Sequence, residues 1–292
     1  MENKTIKKKR TKLITLSVIG IIIALLIIWI VWGNNALELN SYSIASNRLP
    51  KEFDGFRIAQ VSDLHNAEMG KGNEKLILML EEADPDIIVI TGDMIDSRKT
   101  KVDVALSFAE QAVKIAPCYY VTGNHEARVD EYSELKNGLI EFGVMVLEDS
   151  KTEIVHSGES IVLVGVTDPS FEADYFFDDE ETVMKSKLKE LINGEKRYVV
   201  LLSHRPELFN SYVENNVDLV FSGHAHGGQF RIPFIGGIVA PNQGVFPKYD
   251  AGIFTEGNTN MVVSKGVGNS IIPFRVNNRP EVILIELTVQ GK

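Results

Sequence analysis

Five of the six histidines in this 292-residue sequence follow short apolar runs that predict β-strands. Aspartate and asparagine residues stand at the same strand ends, usually soon after a small residue. The side chains collected in this way are Asp63, His65, Asp93, Asn124, His125, His204, His224 and His226. In an open α/β sheet, the carboxyl ends of the strands line the ligand crevice. A single histidine after a strand is usually an ordinary core or surface residue, but the shared position of the whole set predicts one functional site.

These residue types are characteristic of a site for divalent metal ions. Imidazole, carboxylate and amide groups without thiolate suit Mn, Fe, Zn or Co. The candidate ligands are Asp63, His65, Asp93, Asn124, His204, His224 and His226. One ion cannot use so many ligands, whereas two ions that share a carboxylate can. Two metal ions about 3.5–4 Å apart are suited to in-line attack of water on phosphorus, so the set predicts a phosphoester-hydrolysing centre.

The elements that must position these residues alternate between strands and helices. The predicted strands lie at 56–61, 87–90, 119–121, 198–202 and 219–221. Amphipathic helices are predicted between them, and the C-terminal part is rich in glycine and in strand-forming residues. Alternating βα units followed by a β-rich tail predict packed mixed sheets flanked by helices. We assign residues 53–292 to one catalytic domain of this α/β class.

The N-terminal region predicts a membrane anchor. Residues 13–32 carry no charge, and twenty helical residues span about 30 Å, the thickness of a bilayer's hydrocarbon core. Residues 1–12 carry six basic side chains and one acidic one, which predicts a cytoplasmic tail and a catalytic domain outside the cytoplasm. A cleaved signal peptide is the alternative, but its apolar stretch is usually shorter, and residues 33–36 form a weak cleavage site. Residues 33–52 are expected to form a spacer that includes an edge strand.

The charge and the cysteine content exclude some partners and sites. The chain has a net charge of −10, and because residues 1–12 contribute +5, the remaining 280 residues sum to −15. Such an acidic domain is unsuited to non-specific binding of nucleic acid, which depends on lysine and arginine. The single cysteine, Cys118, excludes an internal disulfide framework and a zinc site built from several thiolates. We therefore expect a phosphoester substrate other than a polynucleotide.

The order and spacing of the candidate residues resemble those of the calcineurin-like metallophosphoesterases. The matching blocks are Asp63-x-His65, Gly92-Asp93-x-x-Asp96, Gly123-Asn124-His125-Glu126, His204 and Gly223-His224-x-His226. Residues 202–206, 226–229, 266–269 and 278–281 are similar to the bacterial membrane-anchored phosphodiesterases of that family. The resemblance implies a four-layer α/β/β/α sandwich, preceded here by one transmembrane helix, with a dimetal centre between the sheets.

The resemblance also implies a role for each matched residue. The ligands are expected to be Asp63, His65 and His226 for one ion and Asn124, His204 and His224 for the other. Asp93 would bridge the two ions. His125 corresponds to the family's histidine that binds no metal, stabilises the transition state and protonates the leaving oxygen. Asp96 would orient a neighbouring ligand.

Two arginines are candidate contacts for the substrate. Arg128 follows the asparagine–histidine pair, and its guanidinium could clamp a phosphate oxygen, although a surface ion pair explains it equally well. Arg275, in the glycine-rich tail, is the second candidate. An aromatic segment, Phe171 with residues 175–177, could cover the substrate, face the membrane or pack over the following helix.

Together these features favour a membrane-anchored, metal-dependent phosphoesterase. We expect it to hydrolyse phosphodiester or pyrophosphate bonds with water activated by two metal ions, on lipid-linked or cell-envelope substrates. The alternatives are a sugar-nucleotide lipid pyrophosphatase, a phosphomonoesterase and, from another class, a non-catalytic metal-binding membrane module. A module that has lost catalysis usually lacks ligands, whereas every ligand block is present here.

Overall fold

The computed structural model describes residues 2–172, 180–269 and 272–291. The helices of this part are α1 (Glu2–Asn35), α2 (Glu74–Ala83), α3 (Val102–Ala112), α4 (Tyr132–Glu141), α5 (Glu180–Ile192) and α6 (Phe209–Glu214). The strands up to the end of the ligand blocks are β1 (Glu38–Ser46), β2 (Arg57–Val61), β3 (Ile87–Thr91), β4 (Cys118–Val121), β5 (Met145–Val146), β6 (Ser150–His156), β7 (Glu159–Gly165), β8 (Val199–Leu202) and β9 (Leu219–Ser222). The later strands are β10 (Arg231–Ile232), β11 (Gly236–Gly237), β12 (Val239–Ala240), β13 (Gly244–Val245), β14 (Gly252–Glu256), β15 (Thr259–Val263) and β16 (Glu281–Val289). The aromatic residues 175–177 lie outside the described residues.

Two mixed sheets of six strands each form the centre of the fold. Their strand orders are β1-β16-β2-β3-β4-β5 and β14-β15-β9-β8-β7-β6. Strands β2 to β5 are parallel, as are β7, β8, β9 and β15. Neighbouring parallel strands end at the same edge of a sheet. The carboxyl ends of several strands therefore lie side by side in each sheet.

The four layers of the fold can be seen from the buried strands, whose successive side chains pack on opposite faces of each sheet. In β3, Val89 belongs to the core between the two sheets, whereas Ile88 and Ile90 pack against helices α2 to α4. In β8, Val200 faces the core between the sheets, and Leu201 faces the layer of α5 and α6. Strands buried on both faces are expected to be apolar, as these are except for Thr91 at the end of β3. The four-layer α/β/β/α sandwich expected from the sequence is therefore confirmed.

The N-terminal segment enters the fold through an edge strand. Strand β1 occupies much of the expected spacer and pairs in parallel with β16, with Glu38 opposite Glu281. Because β16 runs antiparallel to β2, β1 also runs antiparallel to β2. The first residue of β1 therefore lies at the sheet edge where β2 ends, which is the edge that carries the ligand blocks.

Helix α1 is longer than the apolar stretch that predicted it. It begins at Glu2 and ends at Asn35, whereas the expected membrane span is 13–32. Residues 6–35 form a helix long and apolar enough to cross a membrane, and its most apolar stretch is not buried against the rest of the protein. An unburied apolar helix of this length needs another apolar environment, which a bilayer supplies.

Candidate metal centre

The metal centre forms where strands of both sheets end. Each ligand block begins within three residues of the end of β2, β3, β4, β8 or β9. Five of the ligands have backbone φ in the left-handed region: Asp63 (51°), His65 (45°), Asp93 (51°), His224 (66°) and His226 (48°). Non-glycine residues in this region carry a strain of about 1–3 kcal/mol each, and such strain concentrates at functional sites. The backbone thus turns sharply after each strand to aim these side chains at a common point.

Glycines let the ligand loops approach each other. Gly92 has φ of 86°, and a Cβ there would lie 2.6 Å from the Gly123 nitrogen and 2.8 Å from His204 Nδ1. A Cβ on Gly223 would collide with the Ser62 hydroxyl and the Asp63 carboxylate. The glycines of these motifs are therefore needed for backbone approach.

The first ligand group consists of Asp63, His65, Asp93 and His226, all buried. The Nε2 atoms of His65 and His226 are 3.1 Å apart. His226 Nε2 is 3.2 Å from Asp63 Oδ1, and His65 Nε2 is 3.4 Å from Asp93 Oδ2. Two imidazole nitrogens and two carboxylate oxygens therefore surround one point, as the ligands of a metal ion do.

The second ligand group consists of Asp93, His204 and His224. His204 Nε2 lies 3.3 Å from Asp93 Oδ2 and 3.2 Å from His224 Nδ1. Asn124 lines the same cleft, and its buried Oδ1 has no hydrogen-bond partner among the described residues. Asp93 Oδ2 faces both groups, while Asp93 Oδ1 accepts a hydrogen bond from the His125 N–H. The structure thus brings six of the seven candidate ligands into two groups that share Asp93, and it places Asn124 in the cleft beside them.

The protonation states of the site fit divalent cations. Burial lowers the pKa of His65 to about 3 and those of His224 and His226 well below the usual range, so these imidazoles are neutral. Burial opposes ionisation of Asp93, but His204 and His65 hold its pKa well below normal. Burial also opposes the charge on His204, yet Asp93 and Asp63 raise its pKa to about 10. Converging lone pairs, buried carboxylates and an unpartnered amide oxygen form a site that positive charge would stabilise.

Hydrogen bonds with residues that are not ligands hold two of the ligands, His204 and Asp93, in position. His204 Nδ1 is 2.7 Å from the Thr91 carbonyl and donates to it, which fixes the ring so that Nε2 points at Asp93 Oδ2. Glu126, fully buried, accepts from the N–H groups of Gly123 (2.7 Å), Met94 (2.8 Å) and Asp93 (2.9 Å). The sequence motif contains Glu126 but does not reveal this role, because the spacing of residues along the chain does not show that Glu126 is buried between two ligand loops.

Replacing Glu126 by glutamine is expected to destabilise the protein by about 2–3 kcal/mol, because an amide NH₂ would face backbone N–H groups that now bind a carboxylate. Glu131→Gln, at the exposed residue just before α4, is the matched control and should change stability by less than about 0.5 kcal/mol. Urea unfolding of the full chain in detergent, followed by circular dichroism, measures both. Equal stability of the two variants would contradict a bracing role for Glu126.

His125 lies beside the ligands without joining either group. Its Nδ1 accepts from the Ser97 N–H at 3.0 Å, so in the neutral ring Nε2 carries the hydrogen. Nε2 is 4.0 Å from Asp93 Oδ2. Asp96 Oδ1 lies 3.7 Å from His125 Nδ1 and accepts from Arg98 Nε at 2.9 Å. Asp96 is thus positioned beside His125, and it forms no described hydrogen bond to the side chain of a candidate metal ligand.

A cleft of about 390 Å³ opens over the site and is bordered by cationic groups. Arg98, Arg128 and Arg205 line it together with Asn124 and His125. Arg205 is buried, and sequence reasoning did not assign it a role. Its Nε and Nη2 bind the Asp168 carboxylate at 2.6 and 2.8 Å, and its Nη1 is 3.3 Å from His224 Nε2.

Arg275 occupies a different position from the one expected of a substrate contact. Its side chain is buried outside the cleft, and its guanidinium donates to the carbonyls of Lys265, at 2.7 Å, and Gly268. A guanidinium whose donors are taken up by backbone carbonyls holds the C-terminal loop in place. The expectation that Arg275 binds substrate is corrected by this placement.

Known proteins are similar to this chain in sequence. A sequence model of the calcineurin-like phosphoesterase family matches residues 56–228. The metallophosphoesterase YkuE of Bacillus subtilis is 30% identical over 259 residues, which cover 86% of this chain and 85% of YkuE. The phosphodiesterase YaeI of Escherichia coli is 28% identical, with 80% of this chain and 82% of YaeI aligned.

One further relative is similar in sequence, and one solved structure is similar in fold. A transmembrane protein with a metallophosphoesterase domain from Danio rerio is 27% identical over 84% of this chain and 56% of its own length. The structure of TT1561 from Thermus thermophilus superposes with a TM-score of 0.50 at 14% identity, over 73% of this chain and 90% of that one. The family match spans more than half of the chain and all the ligand blocks. The chain therefore belongs to the calcineurin-like phosphoesterases and is a metal-dependent hydrolase of phosphoesters.

Proposed function

We propose that this protein is a membrane-anchored phosphodiesterase that uses two divalent metal ions and acts on lipid-linked or cell-envelope phosphodiester or pyrophosphate bonds. The observation that carries the proposal is that two ligand groups share the single carboxylate of Asp93. Similarity to the phosphodiesterase YaeI supports a diester substrate. The acidic charge of the catalytic domain argues against nucleic acid as the substrate.

The proposed ligands are Asp63, His65 and His226 for one ion and Asn124, His204 and His224 for the other, with Asp93 shared. The donor set suits Mn, Fe, Zn or Co. When bound, such ions lower the pKa of water and neutralise charge that develops on phosphorus. The protein's own contribution is to fix these side chains before substrate arrives, through the strained strand ends and the buried carboxylate of Glu126.

The remaining cleft residues would act on the substrate directly. His125 Nε2–H is the proposed donor to the leaving oxygen. Complete proton transfer needs a hydrogen on Nδ1 as well, and Asp96, 3.7 Å from Nδ1, is placed to stabilise it. Arg128 and the Nη1 of Arg205 border the cleft and are the proposed contacts for phosphoryl oxygens.

The anchor sets where the enzyme would work. We propose that residues 1–12 are cytoplasmic, that 13–32 span the membrane and that the catalytic domain, 53–292, lies outside the cytoplasm. The basic tail before the apolar helix supports this orientation. A reporter that is active only outside the cytoplasm, fused after residue 292, should be active. An expressed but inactive fusion, with activity of a cytoplasmic reporter at the same place, would reverse the orientation.

Metal removal and return tests the activity. The full chain in detergent is stripped of metal, and Mn, Fe, Zn, Co or Mg is returned singly. Hydrolysis of a chromogenic phosphodiester is then compared with that of the matching monoester. We expect a transition metal to restore diesterase activity. Preference for the monoester would indicate a phosphomonoesterase, and bound metal without activity on either ester or on a lipid pyrophosphate would indicate a binding module.

A further inference from the structure

A pair of short hairpins carries large apolar side chains that no described part of the protein covers. The hairpins are β10–β11 and β12–β13, each an antiparallel pair of two-residue strands. Their exposed apolar residues, called here the hairpin surface, are Ile232, Phe234, Ile235, Val239, Val245 and Phe246. We propose that the hairpin surface inserts into the same bilayer that α1 enters, so that the catalytic domain meets the membrane at a second point.

The conformation of the hairpins favours a function for this exposure. Phe234 and Phe246 both have φ in the left-handed region, at 68° and 56°. Bulky residues rarely adopt this conformation, and turns that require it usually use glycine or asparagine. Phe234 is fully exposed, so internal packing does not compensate the strain. Exposed apolar patches of this kind mark contacts with proteins or membranes.

The position of the hairpins beside the membrane helix identifies the bilayer as the occupant. Arg231, the first residue of β10, lines a cavity of about 210 Å³ together with Trp29, Ile30 and Trp32 of α1. Tryptophan is enriched where a transmembrane helix leaves the hydrocarbon core. The base of the first hairpin therefore lies at the level where α1 leaves the membrane.

Hydrogen bonds hold the end of α1 against the catalytic domain. The Asn34 amide donates to the Arg275 carbonyl at 2.9 Å and accepts from the Arg275 N–H at 2.7 Å. Arg279 donates to the Ala36 carbonyl at 2.7 Å, and its guanidinium lies 5.2 Å above the ring of Trp32. The domain is therefore held in one orientation relative to the helix.

The same C-terminal segment also supports the first hairpin. Arg231 N–H donates to the Val276 carbonyl at 3.0 Å, and the Asn277 amide donates to the Arg231 carbonyl at 3.3 Å. Phe230 forms an isolated parallel bridge with Val276. The end of α1 and the first hairpin therefore both contact the C-terminal segment 275–279. Because of these contacts, insertion of α1 into a membrane would bring the hairpin surface to the lipid.

This orientation has a consequence for the substrate that rests on the proposed function. An apolar cavity of about 290 Å³ joins the second hairpin to the metal centre, with Val239, Ala240 and Pro241 on one side and His226 on another. Since the hairpin surface meets lipid, the apolar chain of a lipid phosphoester could enter this cavity while its phosphate lies over the ligands. The substrate class is then an amphiphilic phosphoester presented from the bilayer.

Depth measurements on the full chain test the membrane contact without any assay of activity. Ile235→Cys is labelled with a nitroxide, and Val155→Cys is the control. The two native side chains are 65% and 67% exposed, and Val155 lies on β6, at the sheet edge opposite β14. Cys118 is buried, and the unmodified chain controls for its labelling. The proteins are reconstituted into phosphatidylcholine–phosphatidylglycerol vesicles, and accessibility to oxygen and to a water-soluble nickel complex is measured.

We expect the label at 235 to be more accessible to oxygen than to the nickel complex, and the label at 155 to show the reverse. Equal aqueous accessibility at both positions would overturn the proposal. Protection of position 235 from both agents would also overturn it, because that result indicates a protein contact instead of lipid.

A kinetic comparison tests the consequence for the substrate. Phe234→Asn combined with Ile235→Asn removes apolar contact area while asparagine tolerates the left-handed backbone. We expect hydrolysis of a phosphodiester lipid in vesicles to fall at least about tenfold, with hydrolysis of a soluble chromogenic diester unchanged. Equal effects on both substrates would overturn presentation from the bilayer. An unmodified chain that cleaves only the soluble diester would refute the lipid substrate and leave the depth measurement valid.

Discussion

Asp93→Asn is expected to abolish phosphoester hydrolysis, with turnover lower by at least about 10³-fold, and to reduce metal content from about two ions per chain to one or none. Asp93 Oδ2 is 3.4 Å from His65 Nε2 and 3.3 Å from His204 Nε2, so both ligand groups depend on it. An amide has nearly the same shape but lacks the negative charge that two neighbouring cations require. The substitution should therefore weaken the binding of both ions, and at least one ion should be lost.

Metal analysis and steady-state rates on the same preparation measure this effect. Asp96→Asn is the matched control, because Asp96 belongs to the same motif but contacts Arg98 and His125 and not a ligand. The control should keep its metal content. Near-normal turnover in Asp93→Asn would refute the shared-carboxylate site, and equal metal loss in both variants would indicate general damage to the loop.

Much of the ligand set could be predicted because its geometry is local. Aspartate, asparagine and histidine at the ends of parallel strands gather at one edge of each sheet, and the packing of the two sheets brings the two edges together. The same residue types also tolerate the left-handed backbone better than bulky residues do. His224 and His226 illustrate this, since each has positive φ directly after β9. Sequence order and strand periodicity are sufficient to group such residues.

Roles that depend on burial and on distant contacts could not be predicted. Arg205 is positioned by Asp168, a residue 37 positions earlier in the chain. Arg275 is similar in type to a phosphate-binding arginine, but its donors reach backbone carbonyls of its own loop. The apolar run at 13–32 also does not give the full length of α1, which begins at Glu2 and ends at Asn35, because lysine and arginine continue a helix as readily as apolar residues do. The hydrophobic pattern alone identifies the apolar stretch and not the ends of the helix.

The direction of strand β1 determines where helix α1 lies relative to the metal ligands. Strand β1 begins at Glu38, three residues after α1 ends, and runs antiparallel to β2. Helix α1 therefore joins the domain at the edge that carries the metal ligands. The Lys265–Glu38 ion pair lies at the same edge, next to Gly266, which packs against Asp63. In the proposed membrane-anchored enzyme, this arrangement would place the cleft on the side of the domain that faces the bilayer.

His125→Ala is expected to lower turnover by about 10²–10⁴-fold, the range of general acid–base catalysis, while about two metal ions per chain are retained. Two observations separate catalysis from metal binding here. The contact between His125 and Asp93 Oδ1 uses the backbone N–H, which alanine keeps. The ring itself lies 4.0 Å from Asp93 Oδ2, beyond hydrogen-bond reach.

The dependence on leaving group identifies what His125 does. A donor to the leaving oxygen matters more as that oxygen becomes more basic, so the loss in His125→Ala should grow from nitrophenyl to alkyl diesters. Ser97→Ala is the control for the surroundings of His125, because it removes the hydroxyl 3.1 Å from Nδ1 but keeps the Ser97 N–H that sets the tautomer of the ring. Its rates should stay close to normal with both diesters. A loss in His125→Ala that is the same for all leaving groups would refute donation to the leaving oxygen, and loss of metal would place His125 among the ligands.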